Sequence, residues 1–240
     1  MQHGGVGEAA DERQGGALEA ALRRLALTAL DETTVAGVLE LVVELSVAAV
    51  PAADAASAAT ATGKPAGYAA SPCLDTVDPV QDRSGRGPRV HVLERGRRYN
   101  GALSCEAGTW PEFSEAAIAA GFRAVLALPL RKRDRTSGSL LLYGRGELGF
   151  GPADVAAAEA LAGYAEVCLA NAVALAAARL TADNMQDGLA SRELIGQAQG
   201  ILMARHACNR GRAFEILRHW SQSENRKLRD IAAEVVAEYE

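Results

Sequence analysis

The chain has 240 residues, 49% of them hydrophobic and 23% charged, with a formal net charge of -5 at pH 7. That content can bury a substantial core, and at about 100–200 residues per domain the length sets one or two domains. Cys73, Cys105, Cys168 and Cys208 are widely spaced, with no C-x-x-C pair and no histidine at zinc spacing, which argues against a metal site and for reduced, mostly structural thiols.

The opening stretch MQHGGVGEAADERQGG has neither a basic nor an apolar leader segment and reads as a mobile tail over residues 1–16. Helical periodicity follows over Ala17–Leu30 and Thr34–Ala49, the second carrying Val35, Val38, Leu39, Val42, Leu45 and Val47 as an apolar stripe. Pro51 ends it. Short apolar runs between Gly and Pro come next, AASAATAT, AGYAA, RAVLALPL and GSLLLYG, the last two joined by the charged RKRDRTSG as a hairpin with a basic tip.

Pro152 with Asp154 marks the start of a long helix, since a first-turn proline loses no hydrogen bond and the acid faces the positive helix end. Leu161, Ala165, Cys168, Ala172, Leu175 and Arg179 recur at steps of three and four. Such a seam either packs on the chain's own sheet or joins two copies of the helix in parallel. No apolar run reaches the roughly 18 uninterrupted residues of a membrane span, because Glu166, Asn171 and Arg179 interrupt the stretch from Leu161 to Leu180. A soluble, cytoplasmic protein without a membrane partner is expected.

Three further helices follow Gly188: Leu189–Arg205, one capped by Asn209, and Arg226–Glu238. Ala213, Phe214, Leu217 and Trp220 or Ser221 form the expected buried face of the second, and Leu228, Ile231, Ala232, Val235 and Val236 that of the third. Between Ser191 and Arg229 stand eight basic and three acidic residues. This local excess of +5 in an acidic chain implies a local anionic partner, although eight bases on three helices also suit a solvated surface.

LASRELIGQAQGILMAR followed by AFEILRHWSQSENRKLRDIAAEVV resembles the ANTAR domain of transcription antitermination regulators, with three motifs agreeing in order and spacing. QDRSGRGPR, TWPEF, AAGFRAVLALPL, SLLLYG and FGPADV resemble, in the same order, a GAF domain of the kind joined to ANTAR in actinobacterial regulators. The resemblance implies an α+β fold: a GAF-type antiparallel sheet flanked by helices, then a long connecting helix and a small three-helix ANTAR bundle. The domains would be a flexible tail (1–16), a GAF-like sensor (17–180) and an ANTAR RNA-binding domain (181–240). It further implies binding of paired stem-loops in nascent leader RNA, control by a small-molecule or redox signal whose ligand stays unknown, and a homodimer held by the long helix.

Within this reading Arg192, Arg205, Arg226 and Lys227 are the expected phosphate contacts, and Gln197, Gln199 and Asn225 the expected base readers. The chain departs from the GAF pattern at Gly85, Arg86, Gly87, Pro88 and Arg89, where relatives commonly read Gly-Glu-Gly-Pro-Cys, so a ligand preference does not carry over. Ala207 stands where glycine would commonly end the first ANTAR helix, and Gly188 where alanine is usual. Two other readings compete: a GAF-type redox enzyme similar to free methionine sulfoxide reductase, which needs a cysteine pair, and a DNA-binding response regulator.

The enzyme reading lacks support, because nothing adjacent to Cys73, Cys105 or Cys168 forms a recognisable thiol-activating pattern, and His206 and His219 stand beside basic residues with no nucleophile set. Against the DNA reading, the third helix is too acidic for a recognition helix beyond its first turn. Gly144-x-Gly146-x-x-Gly149 imitates a dinucleotide fingerprint, but the long helix fills the distance at which a second strand should end in an acid. No catalytic residue and no metal site are expected.

Overall fold

Leu126, Leu128 and Leu130 alternate with Val125, Ala127 and Pro129, and in a strand such alternation sends the two sets to opposite faces. The computed structural model describes residues 5–28, 34–61, 71–103, 108–132, 135–146 and 149–239. Strands β1 (Ala55–Thr60), β2 (Tyr99–Ala102), β3 (Ala124–Lys132) and β4 (Arg135–Gly144) form one antiparallel sheet in the order β1-β4-β3-β2. Leu126 pairs with Leu142 and Leu128 with Leu140, and the register shifts between Leu130 and Arg131.

Both faces of this sheet are covered. Ala56, Ala58, Leu126, Leu128, Leu140 and Leu142 pack with residues of α1 (Gly5–Thr28), α2 (Val35–Ala49) and the start of α6 (Pro152–His206). Val125, Ala127, Leu141 and Tyr143 pack with α3 (Leu74–Ser84), α4 (Pro88–Arg95) and α5 (Pro111–Ala119). The expected strands thus appear as β1, β3 and β4, while AGYAA and the hairpin tip residues 133–134 lie outside the described residues. α1 reaches back to Gly5, into the stretch expected to be a tail. The Thr34 hydroxyl caps α2 by accepting from the Gly37 amide at 3.1 Å.

The Gly-Arg-Gly-Pro-Arg departure is a helix-to-helix turn. Gly85 closes α3 at φ +64, a side chain on Gly87 would meet Gln81 at 2.5 Å, and Pro88 opens α4. Arg86 stays exposed. Arg89 turns inward, 4% exposed, and donates to Asp78 at 2.7 Å and Asp82 at 3.3 Å. Tyr143 donates to the same Asp78 at 2.6 Å, and Gln81 accepts from the Arg89 amide at 2.8 Å. Burial opposes the Arg89 charge, yet the two aspartates and Tyr143 hold its pKa above the ordinary arginine value. Burial and Asp78 push the Tyr143 hydroxyl well above its usual range.

The long helix α6 runs unbroken through Gly188 to His206, joining what was expected as two helices. Gly151 and Ala52 amides donate to Asp154 at its start. Leu161, Ala165, Cys168 and Ala172 are buried against the sheet layer, so this part of the expected intermolecular seam is core of the chain itself. Leu175 leaves that core and is 41% exposed. By length and composition a window of α6, with mean hydropathy 1.6, could cross a bilayer, although uninterrupted runs suggested none; 33% of it is buried in protein.

Residues 1–175 and 176–240 are two compact units. In the second, Ala198 and Leu202 of α6 pack with Ala213 and Leu217 of α7 (Arg210–Ser223) and Ile231, Ala232 and Val235 of α8 (Leu228–Ala237). Asn209 caps α7 as expected, accepting from the Arg212 amide at 2.9 Å. Two left-handed residues end helices here, Ala207 at φ +46 and Asn225 at φ +52. Each lets the next amide reach back to the preceding helix, Cys208 to the Met203 carbonyl and Arg226 to that of Ser221.

Two stability predictions follow from these geometries. Ala207→Gly should raise stability by about 1 kcal/mol, because glycine lacks the Cβ clash of the left-handed region; a urea midpoint at or below the parent's would contradict this. Arg89→Ala should cost about 3–5 kcal/mol by stranding the buried Asp78 carboxylate, seen as a lower thermal midpoint of the sheet unit. A near-neutral Arg89→Ala would mean that the pair is solvated.

Candidate nucleic-acid interface

The basic side chains of the C-terminal unit divide by what they touch. Arg226 is held by Glu234 in a two-pronged contact at 2.9 Å and by Glu224 at 3.1 Å. This contact keeps the Glu234 carboxyl below its ordinary pKa. Arg212 pairs with Glu215, Arg229 with Asp230, and Arg205 loosely with Glu238 at 3.8 Å. Arg192, Arg218 and Lys227 are exposed and make no ion pair among the described residues.

The expected base readers separate as well. Gln199 is 7% exposed; its amide nitrogen donates to the Arg210 carbonyl at 3.3 Å and its oxygen accepts from Arg210 Nε at 3.4 Å. It ties α6 to α7, leaving its polar groups in use within the fold. Asn225 supplies the left-handed turn between α7 and α8, a conformation that asparagine tolerates better than most residues. Gln197 is exposed on α6.

Phe214, expected inside, is 39% exposed. Ala213 and Leu217 fill the buried stripe of α7, and Phe214 lies one position around from Ala213, toward solvent. Arg210 and Arg218 stand four residues to either side of it, on the same face. On α6, Arg192, Gly196, Gln199 and Met203 follow a spacing of four, three and four and so share one stripe. The Gln199–Arg210 contact brings that stripe to the start of α7. The resulting row is Arg192, Gln199, Arg210, Phe214 and Arg218, with open space above Gly196 and Gly200. Arg205 and Gln197 lie on other parts of the α6 circumference.

This row can do three things chemically. Guanidinium groups can engage phosphate oxygens bidentately, an exposed ring can stack on an unpaired base, and bare glycine backbone allows close approach. The periodic sequence pattern missed Phe214 because Phe214 and Ala213 are both apolar, and only packing decides which of two neighbours turns inward.

Elsewhere the reactive groups are dispersed. Cys73 is exposed, Cys168 buried and Cys208 half-buried, and burial raises the Cys168 thiol pKa. Cys105 lies outside the described residues. Among the described residues no group of three or more His, Cys, Asp or Glu side chains is gathered as a metal site would require.

Comparison with known proteins places both units. Residues 183–236 match the family model of the ANTAR domain. The chain is similar to the GAF domain from a phosphoenolpyruvate-protein phosphotransferase of Coxiella burnetii, at 21% identity and a TM-score of 0.50, over 67% of this chain and 96% of that one. A second similar structure is the GAF domain from the Acinetobacter phosphoenolpyruvate-protein phosphotransferase, at 15% identity and a TM-score of 0.47, over 65% and 93%. The first likeness carries the fold and says nothing of a ligand. No match is found among curated proteins. The chain joins a unit with the GAF fold to a segment, residues 183–236, that matches the ANTAR domain.

Proposed function

We propose that the chain is a cytoplasmic RNA-binding antitermination regulator whose ANTAR domain grips paired stem-loops of a nascent leader transcript, under control of a signal received by the GAF-fold unit. The observation that carries this reading is the ANTAR match over 183–236, together with four basic side chains there, Arg192, Arg210, Arg218 and Lys227, that have no carboxylate partner among the described residues. Arg192 and Arg218 contact phosphates, with Lys227 and the loosely paired Arg205 at the periphery. Phe214 stacks on an unpaired loop base and Gln197 reads a base edge. Gln199, Asn225 and Arg226 hold the helices in register.

Engaging two stem-loops at once calls for two copies of the domain, because tethering makes the second contact effectively intramolecular. Leu175, Ala178, Ala182, Met185 and Leu189 recur on α6 at steps of three and four and are all exposed. This supports a homodimer through α6, on residues beyond the part buried in the sheet unit. The signal would act by favouring or opposing that pairing.

Mobility-shift titrations with paired stem-loops, a single stem-loop and duplex DNA of equal length test the function; preference for DNA, or no binding to any RNA, rejects it. Arg192→Ala and Arg218→Ala should each flatten the salt dependence by about one unit. Phe214→Ala should lose about 1–3 kcal/mol on the cognate loop with the slope unchanged, and a lowered melting midpoint of the free protein would assign it to packing. Met185→Glu with Leu189→Glu should give a monomer in sedimentation that binds only a single stem-loop, weakly. A double variant that dimerises like the parent sinks the α6 pairing.

A further inference from the structure

A second concentration of positive charge lies on the sheet unit. Helix α4 ends at Arg95, and Gly96 turns the chain at φ +61, so that Arg97 and Arg98 enter β2 exposed. The Arg131 guanidinium of β3 donates to the Gly96 carbonyl, and the Gly96 position lies against Thr136 of β4, where a Cβ would stand 3.4 Å from the hydroxyl. These contacts fix the α4–β2 turn against the turn end of the β3–β4 hairpin. There Arg131 faces Thr136 and Lys132 faces Arg135 in register. Five arginines from two segments distant in sequence therefore share one edge of the unit.

Carboxylates neutralise only part of this edge. Glu159 pairs with Arg98, and Glu166 accepts from the Arg131 backbone amide at 2.7 Å, both from α6. Glu94 is exposed on α4. Arg95, Arg97 and Arg135 are exposed and make no ion pair among the described residues. An open groove of about 490 Å³, with Arg97, Arg98 and Arg131 opposite Glu159 and Glu166, runs beside them.

We infer that this arginine edge is a second RNA contact, binding the phosphodiester backbone without reading its sequence. The inference rests on the RNA-binding function proposed above. Guanidinium groups match phosphate oxygens in bidentate geometry. No large exposed apolar side chain stands among residues 95–98 or 131–132 and 135–136, whereas a protein interface would need such anchors at its centre. Backbone contacts of this kind add affinity and salt dependence without specificity, and they suit a transcript longer than its recognition loops.

The test uses the full chain and two RNAs: the minimal paired stem-loops, and the same stem-loops extended by a flanking duplex. The parent should bind the extended RNA with the steeper salt dependence. Arg95→Ala with Arg97→Ala and Arg135→Ala should remove roughly two to three units of that slope and at least about tenfold of affinity at low salt, and leave the minimal RNA unaffected. All three side chains are exposed, and an unchanged circular dichroism spectrum and melting midpoint will certify folding. Arg192→Ala with Arg218→Ala should weaken both RNAs. If the triple variant reproduces the parent on the extended RNA, or weakens both RNAs equally, the arginine edge is not a separate contact and the function proposed above stands. If the parent binds neither RNA, that function and this inference fall together.

Discussion

The sheet of the N-terminal unit is buried on both faces, and most of its architecture follows from that constraint. Leu126, Leu128, Leu140 and Leu142 need cover on one side, and Val125, Ala127, Leu141 and Tyr143 on the other. Burying one such large side chain contributes roughly 1.5–3 kcal/mol, so two helical layers are required. The layer of α1, α2 and α6 meets the sheet with apolar side chains, and its buried Ser46 hydroxyl donates to the Val42 carbonyl of its own helix. The layer of α3, α4 and α5 carries a polar network through Arg89, Asp78, Gln81 and Tyr143. A buried ion pair of this kind is weak evidence of net stability, but it holds α3, α4 and β4 in one arrangement, since removing either partner strands a charge.

Helix α6 serves both cores in succession. Its first turns present Leu161, Ala165, Cys168 and Ala172 to the sheet layer, and its last present Ala198 and Leu202 to α7 and α8. Between them Val173, Leu180, Met185 and Leu189 stand exposed on the helix. The same helix therefore supplies residues to both cores.

The C-terminal unit distinguishes charges that build the fold from charges left available. Arg226 and its carboxylates brace the start of α8, and Gln199 braces the junction of α6 and α7. Arg192, Arg218 and Lys227 contribute nothing visible to that bracing. Exposed salt bridges give little stability on their own, so the bracing matters chiefly for geometry. It fixes where the uncommitted cations and Phe214 are held.

Much of this was legible in the residues. Pro152 with Asp154, the Asn209 cap and the apolar runs of β1, β3 and β4 are local signals, because caps, turns and periodicity depend on neighbours a few residues apart. The order and spacing of the ANTAR motifs are local in the same sense. Helices α3, α4 and α5 and the short β2 escaped notice, since each is short and α3 carries Pro79 inside it. Tertiary structure alone decided that Arg89 turns inward to Asp78, that the Leu161–Ala172 seam is spent on the chain's own sheet, that Gln199 is consumed by Arg210, and that Phe214 faces outward while Ala213 faces in. Each of these depends on a partner brought close by the fold, and a sequence pattern fixes which residues are apolar or charged but not which partner will satisfy them.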